Sequence, residues 1–279
     1  MKKPTDIKTG KTAVAKGIAK TLGYEGQLGV YSLLYREQQE PSGQEGVIGP
    51  DWIVQQVRAS SFWNVVDCPQ RWAGEYLQGK RKHASAPMHL GTTIHKATAV
   101  FDSERVAKQH ASVKAAIDCA VETLWHPEEE IDWGDETPRK LEPIARECTS
   151  KYCKEFSPKI DFCGVEEKLA DLAVDIPEVK VRIVLTGTQD RLRRTISSDD
   201  DQDYAEIIGI RTTTNPEIAV GKILEPEKVL LGDETHGGYL QWLAGMLRSG
   251  NMIGNPRSMF CSQKSCAIFP CFYARGAMK

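Results

Sequence analysis

Apolar residues recur at spacings of three and four along much of the chain, which is the period of an amphipathic helix. The clearest example covers residues 27–38, where Leu28, Tyr31 and Leu34 would share one helical face. Runs rich in β-branched residues instead predict strands. The predicted helices cover about 27–38, 60–77 with a break at Pro69, 91–101, 104–126, 137–156 and 237–247, and the predicted strands cover 164–169, 179–186 and 205–211. This pattern predicts an α+β fold in which helices flank a small, mixed central β-sheet.

A further strand is predicted at the start of the chain, in the stretch Asp6-Ile7-Lys8-Thr9-Gly10-Lys11. Asp6 and Lys8 are two positions apart, so an extended backbone places both side chains on one face. Gly10 then lets the chain turn sharply off the strand. A carboxylate beside an ammonium can hold a divalent metal and stabilise charge on a phosphate. A nucleotide-binding P-loop is excluded here, because Thr5 occupies the position at which that loop needs glycine.

Two polar stretches are typical of connections rather than of secondary structure. Gln39–Pro50 is rich in Gly, Pro, Gln and Glu and predicts a flexible linker. Ser197–Asp203 carries four aspartates and predicts a solvated loop. The sequence contains no internal repeat.

Composition narrows the class of protein without deciding its partner. The chain has 279 residues, a net charge of -2 and a hydrophobic fraction of 41%, enough for the core of one elaborated domain or two small ones. It has neither an apolar run near the ~20 residues that span a bilayer nor an N-terminal signal peptide, so we expect a cytoplasmic protein without a membrane partner. In that compartment the eight cysteines indicate free thiols or metal ligands rather than disulfides. A balanced charge still permits a local basic groove for nucleic acid.

Several polar residues stand in positions that suit a metal or phosphate site. Asp190 follows the apolar run 184–186 and Gly187, and Glu167 on the preceding strand could lie beside it. His95 lies on a predicted helix after Gly91-Thr92-Thr93. Gln27 and Tyr31 are four positions apart and would share a helical face. Each of these residues alone is more simply explained as a surface or core residue, except Glu167, for which an exposed strand residue and a functional residue are equally good explanations.

Taken together, these motifs resemble those of the PD-(D/E)XK nuclease superfamily, in the RecB-like branch that includes AddB-like, CRISPR-associated and phage iron–sulfur exonucleases. The resemblance covers most of the chain and implies a restriction-endonuclease-like core. It implies that His95, Asp190 and Asp6 hold Mg²⁺ or Mn²⁺, and that Lys8 positions the attacking water or stabilises the charge that develops on the phosphate. It also implies that Gln27 and Tyr31 support the site.

Four of the eight cysteines extend the resemblance. Cys261, Cys266 and Cys271 lie within eleven residues near the C-terminus, and Cys68 precedes the predicted histidine helix. Four thiolates suit either zinc or an iron–sulfur cluster. Their spacing is wider than the paired CxxC typical of zinc sites, and in the iron–sulfur branch such cysteines bind one [4Fe–4S] cluster. We therefore expect the cluster, with zinc as the alternative.

The order of the motifs departs from the family. In the family the Asp-x-Lys strand and the Gln-x3-Tyr helix follow the Gly-Thr-x-Asp-Arg strand, whereas here both precede it. We interpret residues 1–45 as a displaced part of the nuclease core and 46–279 as the remainder of one domain. In a rival placement, 205–213 is the Asp-x-Lys strand, with Gly209 and Arg211 replacing the acid and the lysine, and the enzyme is inactive. The N-terminal placement is preferred because it brings its own Gln-x3-Tyr helix.

The expected function is metal-dependent hydrolysis of DNA, by an exonuclease acting on DNA ends or single strands in phage or bacterial recombination, repair or defence. A helicase or recombinase would be a natural partner for such an activity. The alternative is a catalytically inactive nuclease fold that binds DNA or another protein. Basic residues that could grip phosphates in either case are Arg71, Lys80, Arg81 and Lys82.

Overall fold

The computed structural model describes residues 2–21, 24–39, 48–194 and 204–275. The α-helices are α1 (Glu25–Gln39), α2 (Phe62–Asp67), α3 (Pro69–Tyr76), α4 (Ala86–Val106), α5 (Val113–Trp125), α6 (Pro138–Lys151), α7 (Pro226–Leu231), α8 (Tyr239–Ser249) and α9 (Phe272–Arg275). The β-strands are β1 (Lys2–Thr9), β2 (Val14–Ala15), β3 (Ile18–Ala19), β4 (Ile53–Arg58), β5 (Ala84–Ser85), β6 (Ile131–Asp132), β7 (Phe162–Lys168), β8 (Leu172–Ile176), β9 (Val181–Thr186), β10 (Thr188–Arg194), β11 (Tyr204–Ile210) and β12 (Ile218–Leu224). Most of the predicted linker and all of the predicted loop at Ser197–Asp203 lie outside the described residues.

The chain divides into two compact units, each built from separate stretches of sequence. The first unit contains Met1–Thr21, His83–Lys168 and Thr188–Leu224. The second unit contains Leu22–Lys82, Leu169–Gly187 and Glu225–Lys279. The strand and the helix that we interpret as one displaced block therefore belong to different units.

The first unit is built on a mixed sheet with the strand order β12-β11-β1-β10-β7. Strand β1 lies in the interior of this sheet, antiparallel to β10 and parallel to β11. The remaining neighbours, β11 with β12 and β10 with β7, are antiparallel. The prediction of an α+β fold with a mixed central sheet is confirmed.

One face of this sheet packs against α4, α5 and α6. Ile7 of β1 and Ile208 and Ile210 of β11 share a buried apolar cluster with Ile94 and Phe101 of α4. Burying a side chain of this size contributes about 1.5–3 kcal/mol. Because side chains alternate along a strand, the burial of Ile7 on this face turns Asp6 and Lys8 to the other one.

The helices that cover this face have local start signals. Ser112 accepts a hydrogen bond from the backbone N–H of Ala115 at the start of α5, and Thr137 accepts one from Lys140 at the start of α6. The sequence predicted one helix over 104–126, but α4 ends at Val106 and α5 begins only at Val113. The chain turns between them through Lys108, whose φ is +56°. Helix α6 continues into a π-helical turn at Tyr152–Phe156.

The second unit contains a smaller sheet with the order β4-β9-β8, in which β4 is parallel and β8 antiparallel to β9. Helix α1 packs against α7, and α8 packs against β9. On β9 every second residue is apolar and buried, namely Val181, Ile183 and Leu185. On α1 the buried apolar residues recur at helical spacing. Within the described ranges, no helix is long and apolar enough to cross a membrane.

Candidate active site

The site begins where β1 and β10 separate. The two strands pair only from Lys2 opposite Arg194 to Thr5 opposite Arg191. Beyond that point, a carboxylate oxygen of Asp190 accepts a hydrogen bond from the backbone N–H of Ile7, at 3.0 Å. A side chain therefore takes the place of the backbone ladder, and a fork opens between the strands. The apolar run 184–186 that precedes Asp190 ends β9, and Asp190 itself lies within β10. Gly187 separates the two strands, which belong to different sheets.

Asp6 faces Asp190 across this fork. Asp6 is only 1% exposed, and its carboxylate lies 2.7 Å from the ammonium of Lys8. The carboxyl groups of Asp6 and Asp190 lie within hydrogen-bonding reach of each other. Burial raises the pKa of Asp6 well above its ordinary value, and the charge of Asp190 raises it further. Burial also opposes the charge on Asp190, but hydrogen bonds from Asp6 and His95 lower the pKa of Asp190 below its ordinary value.

Two carboxylates in such contact repel each other, and the ammonium of Lys8 beside Asp6 offsets only part of this repulsion, because the pKa of Asp6 stays raised. A divalent cation between them would remove the rest, because carboxylate oxygens are the ligands such ions prefer. The donor set at the fork therefore fits a divalent metal ion.

His95 and Glu166 complete a compact group around Asp190. The Nε2 atom of His95 lies 2.9 Å from Oδ2 of Asp190 and 3.6 Å from Oε1 of Glu166. One ligand atom from each of the three residues lies within 4.8 Å of the others. Burial lowers the pKa of His95, but the hydrogen bond to Asp190 and the two negative charges outweigh it, so the pKa is raised overall.

Glu166 is the site residue that sequence reasoning missed, since Glu167 was the candidate on this strand. The ladder between β7 and β10 pairs Glu167 with Gln189 and Val165 with Arg191, and it passes over Glu166. Glu166 has a φ of +51°, a conformation that is uncommon for residues other than glycine. Two adjacent glutamates give no sequence signal for such a local distortion.

The buried side chain of Arg191 contacts this group from the core side. Its Nη1 atom lies 3.2 Å from Oε1 of Glu166 and donates a 2.6 Å hydrogen bond to the carbonyl oxygen of Asp190. Its Nε atom donates to Oδ2 of Asp102 on α4, at 2.7 Å. The side chains of Arg191 and Asp102 are both fully buried. The guanidinium thus fixes Glu166 relative to Asp190 from inside the core.

Asp102 is itself held by further donors. The hydroxyl of Tyr152 donates to Asp102 Oδ2 at 2.7 Å, and the hydroxyl of Ser157 donates to Oδ1 at 2.5 Å. Tyr152 lies in the π-helical turn, whose hydrogen-bonding pattern is rare and often found near functional sites. This buried network connects that turn to the fork.

Comparison with known proteins identifies the family. A family model matches residues 56–221, more than half of the 279 residues, and its description is the PD-(D/E)XK nuclease superfamily. The chain belongs to the PD-(D/E)XK nuclease superfamily. The α+β fold of this nuclease is accordingly restriction-endonuclease-like, and enzymes of the superfamily generally depend on divalent metal ions. No curated protein matches the chain.

The matched region contains His95, Glu166 and Asp190, whereas Asp6 and Lys8 precede it. In the sheet of the nuclease, β1 lies between β10 and β11. The strand beside Asp190 is therefore β1 and not β11, the strand of the rival placement.

Gln27 and Tyr31 lie on α1 in the second unit of the nuclease. Both side chains are buried, and the amide nitrogen of Gln27 donates to the hydroxyl of Tyr31 at 3.3 Å. The Tyr31 ring lies against Gly187, where a Cβ atom would come within 2.9 Å of it. The requirement for glycine there follows from this contact.

The four predicted cluster ligands line one pocket of the second unit, Cys68 with Cys261, Cys266 and Cys271. Among the described residues, no three of these sulfur atoms lie within 4.8 Å of one another. Burial raises the pKa of the Cys261 and Cys266 thiols, and nearby thiolates add to this effect. The backbone N–H of Asn255 donates to the sulfur of Cys68 at 3.3 Å. A positively charged metal group would relieve the repulsion among these thiolates.

The residues predicted to contact DNA differ in their exposure. Arg71 is only 5% exposed, and its Nη2 atom donates to Asn64 at 2.7 Å and lies 3.2 Å from a carboxylate oxygen of Asp67. It also lines the cysteine pocket. The expectation that Arg71 grips a phosphate is therefore corrected, because burial and pairing withdraw it from solvent. Lys80, Arg81 and Lys82 are exposed.

Proposed function

We propose that this nuclease is a metal-dependent DNA exonuclease of the RecB-like branch that degrades linear DNA from its ends. Asp6, Asp190, Glu166 and His95 are assigned as the ligands of Mg²⁺ or Mn²⁺. The contact of Asp6 with Asp190 in the fork is the observation that carries this assignment. Asp6 and Asp190 are far apart in the sequence, but β1 and β10, which carry them, are neighbours in the sheet.

A bound divalent ion would polarise the scissile phosphate and lower the pKa of a bound water. The protein's part is to hold the ligands and compensate charge. Asp6 and Asp190 would contribute carboxylate oxygens from the two sides of the fork, and Arg191 keeps Glu166 in place. The Lys8 ammonium is 23% exposed beside Asp6, so it can reach substrate and stabilise the negative charge that develops on the phosphoryl group. Gln27 and Tyr31 are assigned as supporting residues.

We further propose that Cys68, Cys261, Cys266 and Cys271 bind one [4Fe–4S] cluster. A tetrahedral zinc ion with bonds of about 2.3 Å needs sulfur atoms only about 3.8 Å apart. In the described part of the chain, no three thiols of this pocket lie within 4.8 Å of one another, and this favours a group larger than a single zinc ion. Such a cluster would join the start of α3 to the C-terminal segment of the second unit. DNA contact is assigned to the exposed Lys80, Arg81 and Lys82.

Nuclease activity can be tested with linear and covalently closed circular DNA in the presence of Mg²⁺ or Mn²⁺. Linear DNA should be degraded, closed circles should be spared, and EDTA should stop the reaction. Asp190→Ala and Asp6→Ala should abolish cleavage but retain DNA binding, because they remove metal ligands and leave the phosphate contacts. Lys8→Ala should lower kcat more than affinity.

The neighbouring glutamates supply a matched control. Glu166→Ala should impair cleavage strongly, whereas Glu167→Ala should leave it nearly unchanged, because only Glu166 belongs to the metal group. Equal effects of the two substitutions would contradict the ligand assignment. DNA binding without cleavage under either metal would instead support the inactive, DNA-binding alternative.

The cluster can be tested separately by anaerobic purification followed by iron and sulfide analysis. About four irons per chain and visible absorption are expected. Cys261→Ser should lose the iron, whereas Cys119→Ser, which alters a thiol outside the pocket, should retain it. Stoichiometric zinc without iron would reassign the site as a zinc site.

A further inference from the structure

A short basic hairpin, residues 10–21, follows directly after the Asp6–Lys8 segment of β1. Its strands β2 and β3 are antiparallel, and the turn residues Lys16 and Gly17 have φ values of +53° and +76°. Positive φ at both central residues is characteristic of the tight turns that match the twist of a hairpin. We call this element the lysine hairpin. On its inner face, Val14 and Ala19 are buried.

Two glycines of the main sheet provide the surface on which the lysine hairpin lies. A Cβ atom on Gly209 would come within 2.7 Å of the carbonyl oxygen of Ala13 and 2.9 Å of the Ala19 Cβ atom. A Cβ atom on Gly221 would come within 2.6 Å of the Ala19 carbonyl oxygen. Real Cβ atoms do not tolerate such distances, so glycine at both positions lets the hairpin pack closely on β11 and β12.

Arg211, which directly follows β11, also holds the lysine hairpin on these two strands. Its Nη2 atom donates to the carbonyl oxygen of Val14 at 2.8 Å and lies 3.0 Å from a carboxylate oxygen of Glu217. Gly209 and Arg211, the residues that the rival placement would make a lost acid and a lost lysine, thus have a structural role as the hairpin's support.

The register of the sheet determines which face the hairpin occupies. Lys8 is paired with Gly209 on the parallel neighbour β11, and Asp6 is paired with Ile207, which in turn is paired with Gly221 on β12. Paired residues on adjacent strands point to the same side of a sheet. The lysine hairpin therefore lies on the face that carries Asp6 and Lys8, beside the fork and opposite the helices.

The outer side of the lysine hairpin is basic. Lys11, Lys16 and Lys20 are exposed, and residues 10–21 contain no acidic side chain. Across the part of the chain that the structure describes, no carboxylate forms an ion pair with any of these three ammonium groups. In a chain with a net charge of -2, this is a local positive surface that attracts a polyanion.

The same side carries one exposed apolar residue. Ile18 is 61% exposed. Its cross-strand partner is Ala15, which is too small to cover it. Exposed aliphatic side chains next to basic residues are used by DNA-binding proteins to pack against bases, provided the bases are accessible.

From this geometry we propose that the lysine hairpin is a DNA-binding element, a wall of the substrate channel beside the fork. Lys11, Lys16 and Lys20 contact phosphates, and Ile18 packs against the terminal base pair of a DNA end. This inference rests on the proposed nuclease function, because DNA is the polyanion whose phosphates must approach Lys8. The lysine hairpin would thus hold the DNA end next to the active site.

Binding measured in EDTA tests the element independently of catalysis. Fluorescence anisotropy with a short blunt duplex, over a series of KCl concentrations, gives the salt dependence of the dissociation constant. The triple variant Lys11→Gln, Lys16→Gln, Lys20→Gln should bind more weakly and lose about 3 from the magnitude of the log–log slope, about 0.9 for each lost phosphate contact. A matched triple variant with the same charge change, Lys108→Gln, Lys114→Gln, Lys140→Gln, should keep the slope. Replacement of the three hairpin lysines by arginine should restore it.

Ile18→Ser tests the contact with the DNA end. It should weaken binding to the blunt duplex several-fold without changing the salt slope, and it should not affect binding to a dumbbell duplex whose ends are closed. Circular dichroism and thermal unfolding establish that each variant is folded.

The proposal is overturned if the folded lysine variant keeps the wild-type slope, or if both triple variants lose the same amount. An equal effect of Ile18→Ser on blunt and closed duplexes removes the end contact. A failure of the nuclease function itself looks different, because wild-type protein would then cleave no DNA under Mg²⁺ or Mn²⁺ whatever the hairpin variants do.

Discussion

The buried pair of Asp102 and Arg191 gives a sharp prediction about what holds the candidate site together. In Asp102→Asn the shape is kept, but the guanidinium of Arg191 loses its buried counter-charge and keeps only the partly exposed Glu166 carboxylate, 3.2 Å from Nη1. Both side chains are fully buried and 2.7 Å apart. Removing one partner of such a pair costs about 3–5 kcal/mol, because the remaining charge cannot be solvated. We therefore expect Asp102→Asn to be among the most destabilising isosteric substitutions in the first unit.

Tyr152→Phe supplies the comparison, because it removes one donor to Asp102 without changing any charge. Burial raises the pKa of Tyr152 well above its ordinary value, so its hydroxyl stays protonated and continues to donate. Loss of this hydrogen bond should cost about 1–3 kcal/mol. The double variant Asp102→Asn, Arg191→Met removes both charges and should be more stable than the sum of the single changes predicts.

Urea unfolding followed by circular dichroism measures these differences. With a slope of about 2–3 kcal/mol per molar urea, Asp102→Asn should lower the midpoint by about 1–2.5 M. Strictly additive effects in the double variant, or a cost for Asp102→Asn no larger than that of Tyr152→Phe, would refute the view that charge compensation in the core supports the site.

Three further predictions follow from the packing. Gly209→Ala should lower the free energy of unfolding by about 1–3 kcal/mol, measured by urea unfolding, because its Cβ atom would overlap the lysine hairpin. Gly91→Ala should lower nuclease activity, since its Cβ atom would lie 2.5 Å from the Thr9 hydroxyl and push α4 away from β1. Burial raises the pKa of Cys148 to about 11 and of Cys153 to about 12, from usual values near 9. Both thiols should resist Ellman's reagent at pH 8 in the folded protein. Because unfolding returns each pKa to about 9, the free energy of unfolding should fall as the pH rises from about 9 to about 12. Cys148→Ala should weaken this pH dependence, measured by urea unfolding.

Local patterns predicted the elements whose residues have one clear periodicity. The helix predicted over 27–38 is α1, and the strands predicted over 164–169 and 205–211 are β7 and β11. The period of two also predicted that Asp6 and Lys8 would share a face. In each case the information lies within about ten consecutive residues, so no knowledge of distant neighbours was needed.

Features that depend on distant neighbours were missed. Strand β4 carries Gln55 and Gln56 and only one buried side chain, Val57, and becomes a strand through its pairing with β9. Strand β12 contains Gly221, which weakens a strand prediction but is required by the hairpin packed on it. Glu166 reaches the site because its φ is +51°, a local distortion of β7 that the sequence does not predict.

The interior position of β1 has a consequence for how the protein is made. Strand β1 is synthesised long before its two neighbours β10 and β11, and the hydrogen bond from Ile7 to Asp190 spans 183 positions. Contacts of such sequence separation form slowly, because a long loop must close before they stabilise anything. Meanwhile β10 and β11 run in opposite directions and follow each other in the chain, so they can pair directly with each other. Efficient folding therefore requires that β1 stay unpaired until β10 and β11 are in place with a gap of two strand spacings, about 9–10 Å, between them.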